Sequence, residues 1–276
     1  MTGNTAIKSD ALEGKVAFIT GGGSGINFGI ARNFIGLGAK VTICSRNQER
    51  LDKAAAELSK NGATVFPVGA DVRDPTALAS ALDCSQKELG PADIVVSGAA
   101  GNFLCEAEKL SPNGFKTVID IDLLGSFNLA RLAFDQLKQT RGSIIFISAG
   151  LAYLPYEQQV HAGAAKAGID NMMKNLALEW GKFGIRANSI APGYIGDTEG
   201  TSRLAIGPGL DAVIESTPVG RLGSVDDIGQ MAAFLCSSSA SFVTGAVIPV
   251  DGGHYLGGSS LLNAAHRRLS QSSSHI

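Results

Sequence analysis

No apolar run in this sequence approaches the roughly 18 residues that a membrane-crossing helix needs, so no membrane span is expected. There is no long basic stretch either. With 23 basic residues against 25 acidic ones the net charge is −2, and no nucleic-acid surface is indicated. Charged residues as a class are scarce, 17% against 45% hydrophobic, which excludes a mainly disordered chain. The four cysteines (Cys44, Cys84, Cys105 and Cys236) include no CxxC pair, and no secretory leader is recognisable. Reduced, mostly buried thiols in an intracellular protein are the expectation. The four histidines, His161, His254, His266 and His275, have no metal-ligand spacing, so no metal is expected. Internal repeats and linkers are lacking. Glycine, by contrast, is abundant at 35 residues, without the Gly-X-Y period of collagen. It should mark turns and close backbone approaches. At about 150 residues per domain, 276 residues make one large domain or two small ones. One domain is expected, with a serine-rich tail over 258–276 that frays.

What the chain does contain is an alternation of strand and helix signals. Short apolar runs at Lys15–Thr20, Lys40–Cys44, Thr64–Val68, Asp93–Val96, Ser143–Ser148, Arg186–Ala191 and Ala246–Val250 suit a parallel sheet covered on both faces. Between them, Arg46–Lys60, Pro75–Leu89, Pro112–Leu137, His161–Trp180 and Val225–Leu235 place apolar residues at helical period. The predicted fold is α/β. It is a Rossmann-type, doubly wound parallel sheet of about seven strands, with helices on both faces and right-handed crossovers. Gly193–Ser216 is the one long irregular stretch of the second half, and its place after a strand predicts a lid or substrate loop.

The first strand runs into Thr20-Gly21-Gly22-Gly23-Ser24-Gly25-Ile26, and a helix follows. Glycines there let the backbone turn sharply and approach a pyrophosphate, which the free N–H groups of a helix start then bind. Gly21, Gly23, Ser24, Gly25 and Ile26 are therefore the candidate cradle of a dinucleotide. An NAD site usually places Asp or Glu at the end of the second strand. Here that end reads Cys44-Ser45-Arg46-Asn47. A guanidinium at Arg46 suits a 2′-phosphate, which argues for NADPH. Asp71 and Val72, after the third strand, are the candidates to receive the adenine.

At this point the chain resembles the short-chain dehydrogenase/reductase family over about residues 12–257. The family's glycine loop matches Gly21 and Gly25, with Asn27 where the third glycine stands. Its Asn-Asn-Ala-Gly segment is Ser97-Gly98-Ala99-Ala100, and its Pro-Gly is intact at Pro192-Gly193. The resemblance implies cofactor contacts at Ala99, Pro192, Gly193 and Ile195. The Tyr-x-x-x-Lys motif falls on Ala162 and Lys166, so the lysine is present and the tyrosine is not. The catalytic serine position falls near Ser148-Ala149, and the helix asparagine falls on Asp122.

The departures point to one subgroup. Ala99-Ala100-Gly101-Asn102-Phe103, Asp120-Ile121-Asp122, Gln159-Val160-His161-Ala162-Gly163 and Thr198-Glu199-Gly200 together resemble the peroxisomal 2,4-dienoyl-CoA reductases. A ketone reduced to an alcohol needs a proton on oxygen, and a phenol beside a lysine supplies it. Ala162 has none to give. Hydride addition to a conjugated C=C differs, because charge spreads onto a carbonyl oxygen while the proton ends on carbon. A pocket for the oxygen and a positioned water suffice. The resemblance implies hydride from NADPH to C5 and a proton to C2 of a 2,4-dienoyl-CoA, giving a 3-enoyl-CoA. Asp122 and Lys166 are the expected acid machinery. Burial favours a protonated Asp122 and the ammonium favours an ionised one, so direct and water-carried donation both stay open. The family lysine also binds the nicotinamide ribose. Asn102, Phe103 and Ser148 are candidate substrate contacts, and His161 ranks low as an acid.

The chain ends Ser274-His275-Ile276, similar to the small–basic–aliphatic peroxisomal signal. That pattern implies a peroxisomal import receptor as partner, with the cytoplasm as the other location. The resemblance further implies a homotetramer through Pro112–Leu137 and His161–Trp180. Arg203, Arg267 and Arg268 are candidates to grip coenzyme A. Other readings are a trans-2-enoyl-CoA reductase of the same fold, a catalytically silent NADPH-binding protein, and a ketone reductase with a displaced tyrosine at Tyr153 or Tyr156.

Overall fold

Seven parallel strands lie side by side in the order β3-β2-β1-β4-β5-β6-β7 in a computed structural model that describes residues 8–196, 198 and 209–259. The strands are β1 Val16–Thr20, β2 Lys40–Ser45, β3 Val65–Gly69, β4 Ile94–Ser97, β5 Ser143–Ile147, β6 Arg186–Pro192 and β7 Val247–Val250. Each falls within one or two residues of its predicted run. Alternate residues of β1 explain why the runs are continuously apolar. Ala17 and Ile19 join one buried cluster with Ile30, Phe34, Leu51 and Ile228. Phe18, between them, joins a second cluster with Leu78, Leu129, Ile169 and Met173 on the other face. A strand buried on both sides has no polar face to alternate with.

The first cluster is covered by helices α1 (Gly25–Gly36), α2 (Gln48–Leu58) and α8 (Val225–Cys236), and the second by α3 (Pro75–Leu89), α5 (Gly125–Thr140) and α6 (Val160–Trp180). Their starts follow from side-chain caps. Asn47 accepts from Arg50 N–H, Asp74 accepts from Thr76 and Ala77 N–H with Pro75 opening the helix, and Ser224 with Asp227 forms a reciprocal box. Each cap satisfies N–H groups that the first turn leaves without a partner.

Two predictions are corrected. Pro112–Leu137 is not one helix. It runs as α4 (Pro112–Val118), a π-helical turn over Ile119–Leu124, and α5. The turn holds Asp122 inward, Ser126 Oγ donates to the Asp122 carbonyl, and Gly125 sits so close to Val72 that a Cβ would lie 2.6 Å from Val72 Cγ2. Such widened turns gather at functional sites. The stretch Gly193–Ser216 is also not wholly irregular, because α7 occupies Gly209–Ser216 and places Leu210, Val213 and Ile214 at helical spacing. Residues 197 and 199–208 of that stretch, with Arg203 among them, lie outside the described residues. So do Arg267, Arg268 and the terminal Ser274-His275-Ile276. The tail prediction meets structure only at 258–259, which belong to the short helical turn His254–Ser259.

The thiols are corrected too. All four cysteines are free, but only Cys44 is buried, while Cys84 is exposed and Cys105 and Cys236 are partly so. Among the described residues, no helix is long and apolar enough to cross a membrane.

Candidate active site

Strand order reverses between β1 and β4, the two partners of opposite sequence direction from the sheet's centre. Open parallel sheets bind ligands at such a point, beyond the carboxyl ends of the strands. A cavity of about 560 Å³ opens there. Its floor is made by the residues just past each strand end: Ser24 and Gly25 after β1, Gly98 and Ala100 after β4, Ser148 after β5, and Gly193 after β6. Thr20 locks the switch point. Its hydroxyl donates to Val96 O at 3.2 Å and accepts from Gly98 N at 3.1 Å and Ala99 N at 3.3 Å.

The glycine loop has the shape that a dinucleotide pyrophosphate requires. Gly21 has φ +73°, and a Cβ on it would stand 2.8 Å from Asn27 Nδ2 and 3.0 Å from Gly98 O. Ser24 stands at the start of α1 without a side-chain cap bond, so the first N–H groups of that helix, with its positive dipole end, are offered to a ligand. Gly23 closes the loop beside Arg50. Asn27, at the family's third glycine, stitches the loop to β4 through Nδ2 to Gly98 O at 2.8 Å. The tight helix packing falls to Gly29 instead, where a Cβ would meet Val225 Cβ at 2.5 Å.

The region past β2 and β3 is exposed. Arg46 follows β2 at the surface, and since Asn47 caps α2, the guanidinium has no capping duty. Asp71 is not an isolated acceptor. Arg73 clasps it, Nη2 to Oδ2 at 2.6 Å and Nε to Oδ1 at 3.0 Å. Those bonds hold the Asp71 carboxyl below the usual carboxylate range. Val72 is buried and its carbonyl accepts from Asn128 Nδ2 at 3.0 Å.

The opposite end is buried. Asp122 is 1% exposed and Lys166 8%, and both line the cavity. Lys166 Nζ lies 3.3 Å from Asp122 Oδ2 and donates to Ile147 O at 2.9 Å. Asp122 Oδ1 accepts from Gly101 N–H at 2.7 Å. Both carboxylate oxygens thus face donors. Ala162 lines the cavity four residues before Lys166, so the wall where a phenol would stand carries only a methyl group. Ser148 Oγ donates to Asp170 Oδ2 at 2.9 Å, and burial pushes the Asp170 carboxyl above its usual range.

Of the predicted substrate contacts, Asn102 and Ser148 line the cavity and Phe103 does not. The Phe103 ring lies 4.5 Å from that of His161, and its carbonyl bonds His161 Nε2 at 3.0 Å. His161, fully buried, is spent on that contact and also stays out of the cavity lining. Tyr156 lines the cavity and Tyr153 does not. Burial pushes the Tyr156 phenol up to about 12, which makes it a poor proton donor at neutral pH. Pro192, Gly193 and Ile195 line the cavity too.

Sequence reasoning missed Asp170, whose signal was its place four residues after Lys166 on one helix face. Asn27 and Gln159 were noted only as motif positions, with no site role given to either.

A family profile described as enoyl-(acyl carrier protein) reductase matches residues 21–255. The peroxisomal 2,4-dienoyl-CoA reductase of Saccharomyces cerevisiae is 45% identical over 250 residues, 89% of this chain and 86% of that one. The peroxisomal 2,4-dienoyl-CoA reductase of Rattus norvegicus is 46% identical over 251 residues, 90% of this chain and 86% of that one. Among solved structures, a short-chain dehydrogenase from Bacillus anthracis superposes with a TM-score of 0.81 at 36% identity, covering 89% of this chain and 98% of that one.

Proposed function

The chain belongs to the short-chain dehydrogenase/reductase family, and we propose that it is an NADPH-dependent 2,4-dienoyl-CoA reductase producing a 3-enoyl-CoA. The observation that carries this reading is the buried Asp122–Lys166 pair beside Ala162, in a cavity at the strand ends. It is a site able to hold charge and a water, with no phenol at position 162 to protonate an alkoxide.

The glycine loop and the uncapped start of α1 would hold the pyrophosphate of the cofactor, Arg46 would pair with its 2′-phosphate, and Pro192, Gly193 and Ile195 would receive its nicotinamide end. The bound cofactor supplies the hydride that C5 of the diene accepts. Lys166 has three donor hydrogens. One goes to Ile147 O and one faces Asp122, and the third would be left for the ribose hydroxyls of the cofactor. The Gly101 N–H and the Lys166 ammonium hold the Asp122 carboxyl in place, one on each oxygen. It orients a water, and that water gives C2 its proton. Asn102 and Ser148 position the acyl thioester.

This reaction serves the β-oxidation of unsaturated fatty acids, and the peroxisomal names of the relatives support that location. Ser274-His275-Ile276 is then the import signal read by the receptor. A homotetramer is proposed through α4–α5 and α6, which leave Leu124 and Phe127 at 44% and Leu178 at 83% exposure on this protomer.

The test mixes the protein with NADPH and 2,4-hexadienoyl-CoA. Loss of the diene chromophore in step with NADPH, with a 3-enoyl product by NMR, is expected. Turnover of 2-enoyl-CoA or ketones in its place, or NADPH binding with no turnover of any of the three, overturns the reading.

A further inference from the structure

Gln159 stands just before α6, three residues ahead of Ala162 and seven ahead of Lys166, the spacing that puts side chains on one helix face. It is 5% exposed and lines the cavity. It does not cap its own helix, and neither Oε1 nor Nε2 has a partner. A buried amide without partners costs free energy unless something arrives to satisfy it. Asn102 Oδ1 is also buried, without a partner, and on the same cavity. These two complementary groups do not bond to each other.

The backbone at this point is held against its preference. Gln158 has φ +62°, left-handed for a residue with a side chain, and its carbonyl is fixed by Cys105 N–H at 3.1 Å. Strain of this kind persists where surrounding structure enforces it, and it gathers at ligand sites. Here it sets the backbone from which the Gln159 side chain enters the cavity.

We propose that Gln159 Nε2 is the donor to the thioester carbonyl oxygen of the substrate, in the place vacated by the phenol at 162. The inference rests on the dienoyl-CoA reading above and deepens it. As hydride adds at C5, the displaced electron pair moves through the diene to that oxygen. The C2 carbon then takes a proton, and the C=O bond reforms. An amide N–H stabilises the oxygen charge without surrendering its hydrogen. The oxygen therefore stays unprotonated, and the proton goes to carbon. A tyrosine would protect the oxygen and also protonate it. Gln159 would do the first without the second.

The experiment compares wild type with Gln159→Met, which keeps length and removes both polar atoms. With 2,4-hexadienoyl-CoA, kcat/KM should fall about 100-fold, the scale of one lost oxyanion donor, while NADPH affinity by fluorescence stays within twofold. Raman spectra of isotope-labelled hexadienoyl-CoA bound with NADP⁺ should show the thioester carbonyl band lowered in wild type and returned toward its free position in the variant. A wild-type band at the free position overturns the proposal whether or not the variant folds. So does a variant that keeps kcat/KM within threefold or keeps the lowered band. Wild type that turns over no dienoyl-CoA fails the parent reading. Wild type that turns it over with Gln159 dispensable fails this one alone.

Discussion

Two aspartates near the cleft are moved in opposite directions. Asp71, past β3, is held below the ordinary carboxylate range by the guanidinium of Arg73. Asp170, on α6 beneath Ser148, is pushed above it by burial. The contrast runs through the whole molecule. Around β2 and β3 the charges stand in water, with Arg46 at the surface and the Arg73–Asp71 pair at 40% and 26% side-chain exposure. Around β4 and β5 the Lys166–Asp122 pair is 10% and 2% exposed. Exposed charges are screened and worth little to the fold, so they are free to recognise a ligand. Buried ones are expensive to separate, so the structure and the chemistry depend on them together.

The largest effect should come from breaking the buried pair. Lys166→Met leaves Asp122 without its counter-charge, at a cost of about 3–5 kcal/mol. Turnover of dienoyl-CoA should drop at least 1,000-fold, on the order of what removing a catalytic group takes away. The double variant Lys166→Met/Asp122→Asn should recover most of the melting temperature and none of the activity. A single variant that melts with wild type would show that the buried side of the contrast is no stiffer than the exposed one.

Arg46→Ala probes the exposed side. A charge-assisted contact to the 2′-phosphate is worth about 1.5–3 kcal/mol, so KM for NADPH should rise tenfold or more. KM for NADH should move less than about twofold, because NADH has no 2′-phosphate to lose, and the melting temperature should stay put. Equal losses with both cofactors would remove Arg46 from the phosphate.

How much of this was legible in the sequence divides along the same line. Elements set by local chemistry were readable: β1 from its unbroken apolar run, and α3 to the residue from the helical period over Pro75–Leu89. The buried Asp122–Lys166 pair was readable because family positions carried both residues. What tertiary contact decides was hidden. The π-helical turn at 119–124 carries the Asp122 that bonds Gly101, 21 residues earlier, and no helical period announces it. Arg73 beside Asp71 was visible but had no reason to be preferred over adenine. Gln159 stood in a family motif without a role of its own, and Phe103 looked like a substrate contact, whereas its ring packs against His161.

The smallest effect is a difference in slope with pH. From the ordinary value of 3.8, Asp71 is lowered in the folded state, so its contribution is present above that range and fades as pH falls through it. Asp170 is raised, so its contribution is present below 3.8 and is lost as pH climbs through the folded-state value. Asp71→Asn should therefore cost up to about 1 kcal/mol at neutral pH, the ceiling for a partly exposed pair, and nothing in strong acid. Asp170→Asn should behave in reverse. Its melting temperature should improve relative to wild type as pH rises from about 4 to 8, because only the wild type must then ionise a buried carboxyl. Melting curves of the three proteins across that range make the check. Parallel curves for Asp170→Asn and wild type would mean that Ser148 and Lys166 fully offset its burial. The two aspartates would then differ in exposure and not in charge.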